Sequence, residues 1–172
     1  MHNSTTYTLQ PTVQSDIPEI MTIVNEAQAC FKNAGIEQWQ NGYPNEAVFL
    51  NDIRNGHSFV VRDGNRLIAT IMISFDGEPT YREIAGEWVT AGAYAVLHRL
   101  AVPVALKGNN IAGIILEQVE ELCKHRGIGS IRIDTHEQNK AMQRVAEKSG
   151  FHYCGVITLS DGSPRLAYEK KL

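Results

Sequence analysis

Apolar residues recur at three- and four-residue spacing through Ile17, Ile20, Met21, Val24, Ala27 and Phe31, which places them on one face of a helix. Asp16 precedes that run and Glu19 stands three residues later in capping-box spacing, so the helix is expected to start there and to end before Gly35. A shorter helix is expected from Glu46 to Asn55, after Tyr43-Pro44 and closed by Gly56, with Val48, Phe49 and Ile53 as its apolar face. Ahead of both, Thr6 to Thr12 reads as an opening strand. From Ser58 the period shortens. Phe59-Val60-Val61 and Leu67 to Ile73 flank the turn Asp63-Gly64-Asn65 and predict a hairpin. Phe75 to Gly92 shows no regular period.

Tyr94 to Val102 is an apolar strand, and Ile111, Ile114, Ile115, Val119 and Leu122 mark one face of a helix from Asn110 to Arg126, stopped by Gly127 and Gly129. Ser130 to Asp134 is a further strand. Asn139 to Ser149 is a helix ended by Gly150, and Phe151 to Leu159 with Arg165 to Lys170 form a closing hairpin. Hairpins at both ends and βαβ units late in the chain predict a mixed α/β fold, one mixed sheet with helices on both faces. With no repeats and no low-complexity linker, residues 1–172 are expected to form a single domain.

Composition narrows the partners. The chain is 43% hydrophobic and 20% charged, and no apolar run approaches the roughly 20 residues that span a bilayer, so no membrane partner is expected. Met1 to Thr6 has neither a basic patch nor an apolar stretch, which points to the cytoplasm. A formal net charge of -3 offers no general attraction to nucleic acid. Cys30, Cys123 and Cys154 lack paired spacing and read as buried thiols, and His136, His152 and Cys154 lack the spacing of a metal site.

The most informative segment runs from Leu100 to Ala112, where a buried strand passes through a short loop into a helix. Unpaired N–H groups and the helix dipole make such a junction an anion site. Gly108 can take positive φ, Asn109 and Asn110 tolerate it, and Lys107 adds a cation. A Gly/Asn turn that only connects strand to helix accounts for the same residues.

Lys107-Gly108-Asn109-Asn110-Ile111-Ala112 resembles the Q/R-x-x-G-x-G/A signature of the GNAT superfamily of N-acetyltransferases. Lys107 stands where Gln or Arg is usual, and Asn110 where the central glycine is usual. Asn139 to Phe151 resembles the family's N-x-x-A…E-K-x-G-F helix and turn, and Val96 to Val102 its fourth strand. The resemblance implies the GNAT fold, a mostly antiparallel sheet whose parallel fourth and fifth strands, here Ala95 to Val102 and Ser130 to Asp134, splay apart. It implies acetyl-CoA as co-substrate, with the pyrophosphate on Lys107 to Ala112, the pantetheine arm paired to the backbone at Leu100, Ala101 and Val102, and Asn139 beside its thioester end. Asn139 is equally a good helix cap. The implied reaction is direct acetyl transfer to a primary amine of a small molecule or peptide, and the reading admits a homodimer.

Where many family members carry a tyrosine general acid, this chain has Ala146, leaving Tyr153 and Tyr168 of the closing hairpin to approach. His98 is the candidate base, since its unperturbed pKa lies nearest neutrality and its strand borders the implied thioester. A core histidine is the competing reading, because Val96, His98, Leu100 and Val102 share one strand face. Asp134 and His136 are second candidates, acting through water. The acceptor is expected against Gln38, Trp39, Tyr43, Tyr81 and Trp88, with Glu83 or Glu87 as counter-charge, unless these aromatics only cap the core. A silent acyl-CoA-binding or sensing domain is the alternative function. A nucleotide-phosphate enzyme lacks any Walker motif here.

Overall fold

The computed structural model describes residues 7–172; Thr6, and the reading of Met1 to Thr6, lie outside the described residues. The described elements are β1 (Tyr7–Pro11), α1 (Ile17–Asn33), α2 (Glu46–Arg54), β2 (Ser58–Asp63), β3 (Arg66–Ser74), β4 (Ala85–Gly86), β5 (Tyr94–Ala101), α3 (Ile111–His125), β6 (Ser130–Thr135), α4 (Lys140–Lys148), β7 (His152–Thr158) and β8 (Pro164–Lys171). They divide into two compact units, one containing the chain up to Met72 with Arg99–Ile111, the other Ile73–His98 with Ala112–Leu172.

In the first unit β1, β2 and β3 pair antiparallel, with Leu9 opposite Val61 and Val60 opposite Thr70. Ile20, Ile23 and Val24 of α1 close over Phe49, Val60, Leu67 and Ala101, as the helical period requires. The expected capping box at Asp16 does not form. A 3-10 turn over Gln14–Asp16 leads into the helix, and Asp16 takes φ -79 in place of the extended conformation of a capping residue. Its carboxylate turns back instead, accepting from the Val13 N–H at 3.0 Å and from Arg62 at 2.6 Å. Pro18, which has no N–H to satisfy, helps the helix start without that cap.

In the second unit the order is β5-β6-β8-β7-β4, with β5 and β6 parallel and the other neighbours antiparallel. The mixed, mostly antiparallel class expected from the sequence is present. β4 was not expected, because two residues carry no period. It is held by contact of backbone with backbone: a Cβ on Gly86 would lie 2.0 Å from the Cys154 carbonyl oxygen, and one on Gly155 2.2 Å from that of Ala85. The buried stripe of α3 includes Leu116 and Cys123, whereas Ile114 and Leu122 of the expected face are only half-buried. Cys30 is also half-buried rather than buried. No described helix is long and apolar enough to cross a membrane.

Candidate active site

The parallel ladder of β5 and β6 pairs Tyr94 with Ser130, Ala95 with Ile131 and Val96 with Arg132, and stops there although both strands continue. Two residues past the last pair, on either strand, stand His98 and Asp134. The imidazole Nδ1 lies 3.7 Å from Asp134 Oδ2. Across the ring, Nε2 lies 3.2 Å from Oε2 of Glu78. His98 and Glu78 are each 22% exposed in their side chains and Asp134 is 10% exposed, so the group is partly desolvated yet reachable.

Glu78 is held by the short helical turn Pro79–Tyr81 that follows it. Its Oε1 accepts from the Thr80 N–H and hydroxyl at 3.2 and 3.1 Å, and its own N–H donates to the Tyr94 hydroxyl at 3.3 Å. The hydrogen bond with His98 outweighs burial and, with those from Thr80, holds the carboxyl at about 2, well below the ordinary range. Tyr81 donates to Asp134 Oδ2 at 2.7 Å. Burial, reinforced by the Asp134 charge, pushes its phenol well above the usual tyrosine value.

Arg132 braces the same segment. Its guanidinium lies between the rings of Trp88 and Tyr94, 4.3 and 3.9 Å from their centres, and donates to the Thr90 carbonyl at 2.6 Å. Its Nε is 3.2 Å from Glu169, which also accepts from Val89 N–H and from the hydroxyl of Thr90. Burial raises the Glu169 carboxyl, but the hydrogen bonds from Thr90 and Ser130 and the Arg132 charge outweigh it and leave the group below its ordinary value.

The structure therefore joins two residues expected from sequence, His98 and Asp134, to one that was not, Glu78. His136 forms the turn before α4, its Nδ1 accepting from the Gln138 N–H at 3.1 Å. Tyr81, expected on an acceptor wall, is only 2% exposed and supports Asp134 from within. Trp88 is half-buried against it, donating from Nε1 to the Tyr81 carbonyl at 3.0 Å. Glu83 and Glu87 are exposed. The signal for Glu78 was its place before Pro79-Thr80, a turn-capping arrangement; a segment without period gave no means of aiming it at His98.

In the first unit, Trp39 packs against the core with its ring edge-on to Phe31 at 5.8 Å, which is the core-capping alternative for this residue. The Gln38 carbonyl accepts from the Gln40 side chain. Tyr43 is 43% exposed, and its hydroxyl accepts from Arg99 at 2.8 Å while Arg99 also pairs with Asp52. Arg99 itself has φ 54, so the unbroken alternation assumed for Val96, His98, Leu100 and Val102 does not hold.

The loop before α3 has Gly108 at φ 85 and Asn110 at φ 55. Asn110 thus occupies the left-handed region where the GNAT signature has glycine, a conformation asparagine tolerates. A side chain added at Gly108 would meet nothing within 4 Å, leaving its backbone open to approach. Both features suit an anion. Asn139 caps α4, accepting from the Met142 N–H at 3.1 Å. Ala146 is fully buried, Tyr168 is 3% exposed and Tyr153 is 58% exposed. Burial, then the nearby Glu147 charge, raises the Tyr168 phenol.

Residues 20–151 match the model of the Acetyltransferase (GNAT) family. The chain belongs to that family. Membership makes it an acyltransferase of the N-acetyltransferase type. A GNAT acetyltransferase from Streptococcus agalactiae 2603 has 31% identity and a TM-score of 0.87, over 96% of this chain and 95% of that one. A putative acetyltransferase from Staphylococcus aureus Mu50 has 25% identity and a TM-score of 0.72, over 95% and 98%. The PaiA N-acetyltransferase of Thermoplasma acidophilum, solved with coenzyme A, shares the GNAT fold at 18% identity and a TM-score of 0.69, over 97% and 99%. No curated protein matches the chain in sequence.

Proposed function

We propose that this GNAT protein transfers an acetyl group from acetyl-CoA directly to a primary amine of a small molecule or peptide. The observation that carries the reading is the placement of His98 between Glu78 and Asp134, two residues past the point where the β5–β6 ladder stops. A base is needed there, because an ammonium is not a nucleophile until it loses a proton.

Lys107 to Ala112 would hold the CoA pyrophosphate, the backbone of Leu100, Ala101 and Val102 the pantetheine, and Asn139 its far end. Positive φ at Gly108 and Asn110 supports the first of these assignments. When bound, the thioester supplies an activated acetyl group and a thiolate leaving group. His98 takes the proton, and Asp134 provides negative charge for the incoming cation. Exposed Tyr43 is the remaining aromatic candidate for acceptor recognition, with Glu83 and Glu87 free to contribute counter-charge. Action in the cytoplasm, without a membrane or nucleic-acid partner and with a homodimer admitted, completes the proposal.

The test is a screen for acetyl-CoA-dependent thiol release over amino acids, polyamines, aminoglycosides and peptide amino termini. Release with one class, together with the acetylated amine by mass, supports the reading. Tight CoA binding without release for any class would replace it with the silent sensing domain, which Ala146 at the tyrosine position favours.

A further inference from the structure

The imidazole of His98 has two chemically distinct nitrogens, and its neighbours treat them differently. Glu78 and Tyr81 face the ring from the segment after β3, Asp134 faces it from β6, and Tyr94 of its own strand is engaged with the Glu78 N–H. Glu78 Oε2 lies 3.2 Å from Nε2. An ionised carboxylate only accepts, so Nε2 must carry a hydrogen. Nδ1 lies 3.7 Å from Asp134 Oδ2, too far for a direct hydrogen bond. That gap is short enough for one ammonium nitrogen to reach both atoms at about 2.9 Å.

We infer that Glu78 is a positioning residue that holds neutral His98 as its Nε2–H tautomer and so makes Nδ1, facing Asp134, the atom that takes the acceptor's proton. The inference rests on the reading of His98 as base and specifies how the base is prepared. One N–H bond of the ammonium breaks and one Nδ1–H bond forms. The electron pair stays on the amine nitrogen, and the imidazolium charge then lies between two carboxylates. The role parallels that of a carboxylate that orients a catalytic histidine through its other nitrogen. Thr80 and Tyr94 fix Glu78, and Tyr81 fixes Asp134, so neither carboxylate needs to reorganise when the charge arrives.

The tautomer is measurable without any substrate. In full-length protein with ¹⁵N-labelled histidine, and with the His98 resonances assigned by their loss in His98→Gln, long-range ¹H–¹⁵N correlation separates protonated from unprotonated ring nitrogens. The parent is expected to show Nε2–H and a bare Nδ1 in the neutral ring. Glu78→Gln should lose that preference, since a carboxamide can turn a donor toward Nε2 where the carboxylate only accepts. Asp134→Asn, which leaves the Glu78 contact in place, should keep Nε2–H. An Nδ1–H tautomer in the parent, or a Glu78→Gln protein that keeps the parent's tautomer, overturns the inference. Absence of thiol release with every amine would instead sink the acyl-transfer reading, and the tautomer result would still stand.

Discussion

Tyr81 and Asp134 are joined by a 2.7 Å hydrogen bond in which the phenol donates to Oδ2, the same oxygen that faces His98. The tyrosine proton is therefore committed. Burial and the carboxylate beside it keep the phenol neutral, so Tyr81 orients Asp134 and does not serve as the acid that Ala146 fails to supply.

That bond has a pH signature. The folded state raises the Tyr81 pKa above its ordinary 10, so its stabilisation is complete below 10 and is lost as pH rises beyond that value. Tyr81→Phe should cost about 1–2 kcal/mol near neutrality, from the unsatisfied Asp134, and should flatten the alkaline fall in stability. Urea unfolding from neutral pH to above 10 measures both. Equal alkaline slopes for parent and variant would refute the assignment.

Glu78 has the opposite sign. Its folded value of about 2 lies below the ordinary 4.5, so its stabilisation is present above 4.5 and disappears as pH falls toward 2. Glu78→Gln should be less stable than the parent by on the order of 2 kcal/mol near neutrality, with the gap closing in that acid window. Denaturant midpoints across the window test it.

His98→Gln should lower turnover by roughly 10²-fold while CoA affinity stays within about two-fold of the parent, as expected for loss of an acid–base group. Thermal melts beside the kinetics separate chemistry from folding. A stable variant at full activity would remove His98 from the mechanism.

The loop before α3 makes a backbone prediction. Asn110→Gly should bind CoA at least as tightly as the parent, and Asn110→Val and Gly108→Val should bind it at least about ten-fold more weakly, because β-branched residues resist positive φ. Lys107→Ala should lose less, since the N–H groups remain. Calorimetry with CoA decides; tight binding by Gly108→Val would make the loop a mere connector.

Gly155→Ala should cost about 3 kcal/mol, because the added carbon would sit 2.2 Å from the Ala85 carbonyl oxygen in a backbone at φ 139. Hydrogen exchange should show the Glu87 amide, which donates to the Cys154 carbonyl, losing protection first. Unchanged protection there would mean that β4 tolerates the intrusion.

Elements with a period or a turn signal were legible in the sequence: the α1 stripe, the hairpin about Gly64, and the helices closed by Gly127 and Gly150. Both partners placed by strand position, His98 and Asp134, were legible too. Glu78 and β4 were not, since both lie in a segment whose conformation is set by tertiary contacts, Tyr94 at one end and Gly155 at the other. Asp16 shows the reverse error. Its local capping signal was plain, but an arginine 46 residues away, with the Val13 amide, drew the carboxylate elsewhere.

The guanidinium between Trp88 and Tyr94 pairs with Glu169, whose carboxyl is held below the usual carboxylate range. The frame that carries Glu78 and Tyr81 is thus tied down by two opposite charges that take no part in the chemistry. Removing either charge of that pair would disturb the site from outside, leaving every reacting group in place while the walls that aim them lose their footing.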